Sequence, residues 1–333
     1  MSVAREVRIG RTPGLSVAAD DFIVVEAELP PLNDGEALVR NTWMSVDPYM
    51  RLPLTARAGL RPPMNVGAAM TGAAVGVVEA SKAAQLPVGA LVVSQMGWRD
   101  RFVAPAAALQ VLPSETARPS WYLGVLGLTG LTAYIGVEYV LKPAAGETIF
   151  VSSAAGAVGS VACQLAARRG ARVLGTAGSD DKVAWLKDKL GLAAAANYRR
   201  ADIGEFLKAQ CPAGLDCYFD NVGGATLDAA LRAMRLQGRI GLCGAISQYN
   251  SENYRAGPSE FFTIIEKSLT VTGFNAGGAA GRQGEILADL TGMLSAGKLI
   301  WEEAVVEGLE NAPAAFTSLF QSDNLGKVVV RIS

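Results

Sequence analysis

The stretch Ile149–Ala167, IFVSSAAGAVGSVACQLAA, places Ala154, Gly156 and Gly159 at the three positions of a G-x-G-x-x-G fingerprint, with alanine at the first. The apolar run ETIFVSS precedes it and a helical pattern follows, the strand–turn–helix context in which such a loop binds a pyrophosphate. Glycine at 156 lets the backbone approach the phosphates, and glycine at 159 lets the helix pack closely on the strand. The helix N-terminus there offers free N–H groups and a partial positive charge. Alanine at the first position touches only the tight turn.

The second strand of such a unit decides which dinucleotide fits. Sites for NAD place an Asp or Glu at its end to bind the ribose 2′-OH. Here the strand runs out as VLGTAGSDDK, with a neutral tip at Gly175, Thr176, Ala177, Gly178 and Ser179. Asp180 and Asp181 read as the cap and first turn of the next helix. Lys182 follows, and Tyr198, Arg199 and Arg200 come after the third strand. A site with no carboxylate to repel a 2′-phosphate and with cations to pair with it points to NADPH.

Histidine is absent from the chain, His 0 in 333 residues. Zinc dehydrogenase sites need His with Cys or carboxylate ligands, so no metal site is expected. Cys163, Cys211, Cys217 and Cys243 include no C-x-x-C pair and read as small buried hydrophobes.

The chain divides by rhythm into two parts that must hold these residues. Residues 1–125 are mostly β. DFIVVEAELPPLNDGEALVRNTWMSV reads as two strands around Pro30–Pro31 and Asp34–Gly35, and TGAAVGVVEA, PVGALVV and RDRFVAP continue the pattern. Glycines between Gly72 and Gly76 predict strongly bent strands, as in a small barrel. From Gly127 strands and helices alternate. Strands are expected at TIFVSS, ARVLGTA, AAAANY, LDCYFDNV, RIGLCGA and LTVTGF, with helices at VGSVACQLAARRG, DKVAWLKDKLG and GGATLDAALRAMRLQG, the last ending at Gly238. Six strands with crossovers describe a doubly wound parallel sheet. The final helix, turn and strand, ENAPAAFTSLFQSDNLGKVVVRIS, are expected to return to the first domain. The fold class is therefore α/β, with a mostly-β domain over 1–125 completed by 300–333 and a Rossmann domain over 126–299.

Hydrophobic residues make up 50% and charged residues 18%, with Lys+Arg 30 against Asp+Glu 31. That balance gives no electrostatic reason to expect nucleic acid or an anionic membrane surface as partner. MSVAREVRIG lacks the apolar run of a signal peptide and no segment is long and apolar enough to span a membrane, so cytoplasm is the expected location.

VDPYMR (Val46–Arg51), GLTGLTAY (Gly127–Tyr134), AAGAVGS (Ala154–Ser160), GSDDKVAWL (Gly178–Leu186), DCYFDNVGG (Asp216–Gly224), CGAISQYN (Cys243–Asn250) and DNLGK (Asp323–Lys327) resemble, in order along nearly the whole chain, the prostaglandin reductase and alkenal double-bond reductase family. That family is a zinc-independent branch of the medium-chain dehydrogenase/reductases. The resemblance implies a GroES-like catalytic domain, a Rossmann domain, NADPH and a homodimer. Carried over by position, it implies cofactor contacts at Gly156, Ala157, Val158, Gly159, Lys182 and Tyr198. It adds Asn221, then Cys243, Gly244, Ala245, Ile246, Ser247, Gln248 and Tyr249. Phe274, Asn275, Ala276 and Asn324 complete the set. Asn221 and the 243–249 loop also follow the fourth and fifth strands, the carboxyl edge where open sheets bind ligands.

The reaction implied is hydride transfer to the β-carbon of a small-molecule enone or enal, with hydrogen-bond donors aimed at the carbonyl oxygen. Tyr49, beyond a strand end in VDPYMR, and Tyr249 are the expected catalytic residues. SEFFTIIEKSLTVTGF lacks a tyrosine that several relatives carry before the sixth strand, which leaves Tyr49, Tyr249, Tyr254 or water to protonate the α-carbon. The same cofactor signature also fits a quinone reductase, or a protein that binds NADPH without turnover.

Overall fold

Alternating apolar residues dominate the first third of the chain, and they fold as strands whose inward side chains build the clusters around Trp98, Phe102 and Leu123. The computed structural model describes residues 3–54, 63–113, 118–251, 257–321 and 324–332. The chain forms two units, the first comprising Met1–Gly124, Glu303–Gln321 and Val328–Ser333, the second Val125–Glu302 and Ser322–Lys327.

In the first unit, β1 (Val3–Ile9) and β2 (Phe22–Glu28) form an antiparallel ribbon. β3 (Glu36–Ser45), β4 (Ala74–Ser81), β5 (Leu91–Ser94), β6 (Arg101–Pro105) and β7 (Gln110–Val111) belong to a larger antiparallel sheet. β3 is its pivot, pairing with β4 on one edge and with β6 on the other. Gly76 stands where β3 and β4 approach closely: a Cβ there would lie 2.6 Å from Val39 Cγ1 and 2.7 Å from the Arg40 carbonyl oxygen. The β3–β4 register shifts at that level. Beyond β3 the chain makes a short 3-10 helix, Pro48–Leu54, with Met50, Arg51 and Leu54 buried. The Arg51 guanidinium donates to the carbonyls of Gly14 and Leu15 at 2.7 and 3.0 Å, which fastens this turn to the segment before β2.

In the second unit, α1 (Leu128–Tyr134) continues into a π-helical stretch, Ile135–Leu141. Then β8 (Thr148–Val151), α2 (Ala157–Arg168), β9 (Arg172–Ala177), α3 (Asp180–Asp188), β10 (Ala194–Asn197) and α4 (Ile203–Gln210) alternate. β11 (Leu215–Asp220), α5 (Gly224–Ala233), β12 (Met234–Leu242), α6 (Phe261–Glu266), β13 (Thr270–Gly273) and α7 (Gln283–Ser295) follow. The sheet order is β10-β9-β8-β11-β12-β13, all parallel. Every residue of β11 is buried, as a central strand covered on both faces requires. The order reverses between β8 and β11, so the crevice at their carboxyl ends is where this fold binds ligands.

Two local expectations are corrected. The helix after DNVGG ends at Ala233, not at Gly238, and Met234 already begins β12. Met234 is 2% exposed, and the Lys267 ammonium donates to the carbonyls of Leu231, Arg232 and Met234. A lysine thus satisfies the helix's last carbonyls where a glycine cap was expected. At α3 the cap is Ser179, whose hydroxyl accepts from the Lys182 amide, while Asp180 and Asp181 form the first turn.

The chain ends with β14 (Glu303–Glu307), α8 (Ala312–Ser318) and β15 (Lys327–Arg331). β15 pairs antiparallel with β3, opposing Val329 to Ser45. Phe316 of α8 stacks edge-on with Phe22 and Trp98 in the first unit's core.

Candidate functional site

The fingerprint turn leaves β8 at Ser152 and enters α2 at Gly156. Ser153 takes a left-handed φ of 50°, and its carbonyl accepts from the Gly156 amide at 3.0 Å. A Cβ on Gly159 would stand 2.2 Å from the Ser153 carbonyl oxygen and 2.8 Å from Ala154 Cα. Glycine at 159 therefore permits the close approach of helix to turn that the sequence pattern implied. Gly156 caps α2 and brings no capping side chain to its first turn, where the amides have no intrahelical acceptor. Gly326, just before the last strand, donates its amide to the Ala155 carbonyl at 2.9 Å, which brings this segment against the fingerprint.

The tip of β9 is neutral, and Lys182 sits in the first turn of α3 only 9% exposed. Tyr198 follows β10, its amide donating to the Ala177 carbonyl at 3.1 Å, and its ring is 40% exposed. Arg200 pairs with Asp180, which also accepts from Asn197 at 2.7 Å.

The turns after β11 and β12 are stitched together. Asn221 donates its amide nitrogen to Ser152 Oγ at 2.9 Å and its side-chain Nδ2 to the Ser152 carbonyl at 2.7 Å. Gly223 and Gly224 both take positive φ, 70° and 53°. The Ile246 amide donates to the Asn221 carbonyl, and the Ser247 amide and hydroxyl both donate to the Val222 carbonyl. Tyr249 closes this loop: its hydroxyl lies 3.5 Å from the place of a Cβ on Gly244. Burial raises the affinity of that phenol for its proton, the Ala245 amide opposes the rise, and Cys243 and Asp220 add to it. The Cys243 thiol is pushed up to about 12 by burial, with Asp220 adding to the rise, so it stays a neutral thiol at ordinary pH.

Phe274 follows β13 and packs edge-on against Phe219 at 5.4 Å, in space left by Gly136 and Gly241. Asn275 Oδ1 accepts from the Gly277 amide at 2.8 Å and caps a turn beginning at Ala276. The structure thus brings the fingerprint, Asn221, the 243–249 loop and the 274–276 turn to the carboxyl edge of one sheet. Tyr49 belongs to the first unit, where it packs against that unit's core. Tyr254 and Asp323 lie outside the described residues.

Two features of the site were not singled out from sequence. Thr129 of α1 has a buried hydroxyl with no hydrogen-bond partner among the described residues, and α1 packs against α2 and the 276–279 turn. Asp220 is 1% exposed and accepts from Ser152, Tyr218, Val222 and Gly223. A carboxylate ending the apolar run LDCYFD was the available signal. These residues fit a dinucleotide: a glycine-lined approach to a helix N-terminus, a neutral β9 tip with a buried lysine, and an orphaned hydroxyl beside the edge.

Comparison with known proteins follows the same lines. Residues 5–112 match the family described as N-terminal domain of oxidoreductase, and residues 157–291 the family described as zinc-binding dehydrogenase. The chain is 42% identical over 320 residues to prostaglandin reductase 1 of Bos taurus, covering 93% of this chain and 94% of that protein. It is 39% identical over 306 residues to the NADP(+)-dependent 2-alkenal reductase of Nicotiana tabacum, covering 91% of this chain and 89% of that protein. The solved structure of CurA from Vibrio vulnificus in complex with NADPH matches with a TM-score of 0.94 at 36% identity, covering 99% of each chain.

Proposed function

Because the chain belongs to the prostaglandin reductase and alkenal double-bond reductase family of medium-chain dehydrogenase/reductases, we propose that it reduces the C=C bond of α,β-unsaturated ketones and aldehydes with NADPH. The observation that carries the reading is the carboxyl edge of the second unit, where a helix N-terminus with no capping side chain accompanies a neutral strand tip followed by Lys182 in the first turn of α3.

NADPH, when bound, supplies the hydride that the substrate's β-carbon takes up. The chain's own part is binding, orientation and proton supply. The α2 N-terminal amides of Ala157, Val158 and Gly159 suit the diphosphate, and Lys182 with Tyr198 suits the 2′-phosphate. Asn221, the Cys243–Tyr249 loop, Phe274, Asn275, Ala276 and Asn324 complete the cofactor edge in this reading. Tyr249, whose buried phenol keeps its proton, is suited to donate a hydrogen bond. Tyr49 is assigned to the substrate side, and the proton for the α-carbon comes from a tyrosine or from water. Since the sequence contains no histidine and its cysteines are dispersed, the reaction is read as independent of zinc.

A homodimer is part of this reading. Its support is the outer edge of the second unit, where α6 exposes Phe261, Phe262 and Ile265 by 60% or more and the edge strand β13 exposes Val271. Such an apolar helix beside a strand edge that is unpaired among the described residues is a surface that proteins usually cover. No helix among the described residues is long and apolar enough to cross a membrane. Four free cysteines support a reducing compartment, the cytoplasm.

Parallel assays test the reading. Protein dialysed against a strong chelator is given NADPH with enals, cyclic enones and long-chain enones, and separately with a benzoquinone. Turnover on enones is expected. Turnover on the quinone alone would make it a quinone reductase, and tight NADPH binding without turnover on either would make it a binding protein.

A further inference from the structure

Asp220 ends β11 in the most buried strand of the second unit, and the donors around it converge on one oxygen. Its Oδ1 accepts from the Tyr218 hydroxyl at 2.6 Å, the Val222 and Gly223 amides at 2.9 Å each, and the Ser152 hydroxyl at 3.2 Å. Its backbone carbonyl accepts from the Cys243 and Gly244 amides at 2.8 and 3.1 Å. Residue 220 is therefore hydrogen bonded to the turns after β8, β11 and β12 at once. Ser152 completes the lattice, accepting from the Asn221 amide on its hydroxyl and from Asn221 Nδ2 on its carbonyl.

A carboxylate at an edge that is to receive a diphosphate is electrostatically adverse, and burial raises its affinity for a proton. The Gly223 amide, the Tyr218 hydroxyl, the Val222 amide and the Ser152 hydroxyl oppose that rise. Left to themselves, turns containing Gly223 and Gly224 sample many conformations, and ordering them on binding would weaken affinity.

We propose that the Asp220 carboxylate is a positioning group of the nucleotide site, holding the turns after β8 and β11 in one hydrogen-bonded lattice so that the dinucleotide meets a preset edge. The proposal rests on the NADPH reading above. It makes the Asp220 carboxylate act through Ser152 and the 222–223 amides, without touching the reacting atoms.

The test compares Asp220→Asn, Ser152→Ala and Tyr218→Phe with the unmodified protein, using NADPH fluorescence titration, steady-state kinetics and amide hydrogen exchange. Losing a hydrogen bond to a charged group predicts NADPH binding weakened by roughly tenfold in Asp220→Asn and Ser152→Ala, with KM for NADPH moving more than kcat. Exchange in the ligand-free protein should rise together at 152–156 and 221–224, while the 243–244 amides keep the backbone carbonyl of residue 220 in every variant. Ser152→Ala removes a single hydroxyl and serves if Asp220→Asn does not fold. A lower Tm with unchanged NADPH affinity, or exchange rising at 221–224 alone, would overturn the proposal. Failure of the unmodified protein to bind NADPH would instead sink the functional reading, and this proposal with it.

Discussion

Ala154, standing where the fingerprint has its first glycine, packs its methyl group against Gly175 of β9: a Cβ on Gly175 would lie 2.7 Å from Ala154 Cβ and 2.7 Å from Leu192 Cδ2. The side chain gained in the turn is thus matched by one absent from the neighbouring strand. Gly175→Ala should destabilise the protein by about 1–3 kcal/mol, the usual cost of overpacking. Ala154→Gly in the same chain should recover part of that loss, since the Leu192 contact remains. Urea unfolding of both single variants and the double variant measures the coupling, and strict additivity would separate the two residues.

Lys182 is the charge assigned to the 2′-phosphate. Lys182→Ala should weaken NADPH by roughly 10- to 150-fold, the range for a hydrogen bond to a charged group, and leave NADH nearly unchanged. Equal efficiency with NADPH and NADH in the unmodified protein would remove the assignment.

For the two tyrosines the expected kinetics differ. Tyr249→Phe should lower kcat/KM by roughly 10- to 1000-fold, as for one lost donor to developing negative charge. Tyr49→Phe should act mainly on the KM for the enone. An unchanged kcat/KM in Tyr249→Phe would take that hydroxyl out of the chemistry.

Much of this site was legible in sequence because its signals are local. The fingerprint, the neutral tip of β9 and the strand–helix alternation each occupy a short window. The parts that were not legible depend on partners far along the chain. Asp220 has a role only because the sheet sets β8 beside β11, 68 positions separating it from Ser152. The helix end at Ala233 was hidden for the same reason, since its carbonyls are satisfied by Lys267 and no glycine marks the stop. The cap of α3 is Ser179, one residue before the Asp180 expected from sequence, because its hydroxyl accepts the Lys182 amide.

Acid should loosen the second unit at Glu147. Burial alone would raise this carboxyl, but Arg239 and the Ala144 amide outweigh it and hold it below its ordinary 4.5. A group with a depressed folded pKa binds fewer protons than in the unfolded chain, so its contribution is full above about 4.5 and is lost as pH falls through the folded value. Chemical unfolding followed between pH 7 and pH 3 should therefore show a steeper loss of stability in the unmodified protein than in Glu147→Gln. Parallel curves would show that the pair is energetically silent.

The central claim is hydride transfer to carbon–carbon double bonds, and isotopic labelling tests it most directly. NADPH deuterated at nicotinamide C4 is turned over with an enone, and the product is analysed by NMR. The account predicts the cofactor's deuterium at the β-carbon, with a solvent-derived proton at the α-carbon. Deuterium at the carbonyl carbon would mean carbonyl reduction and would contradict it.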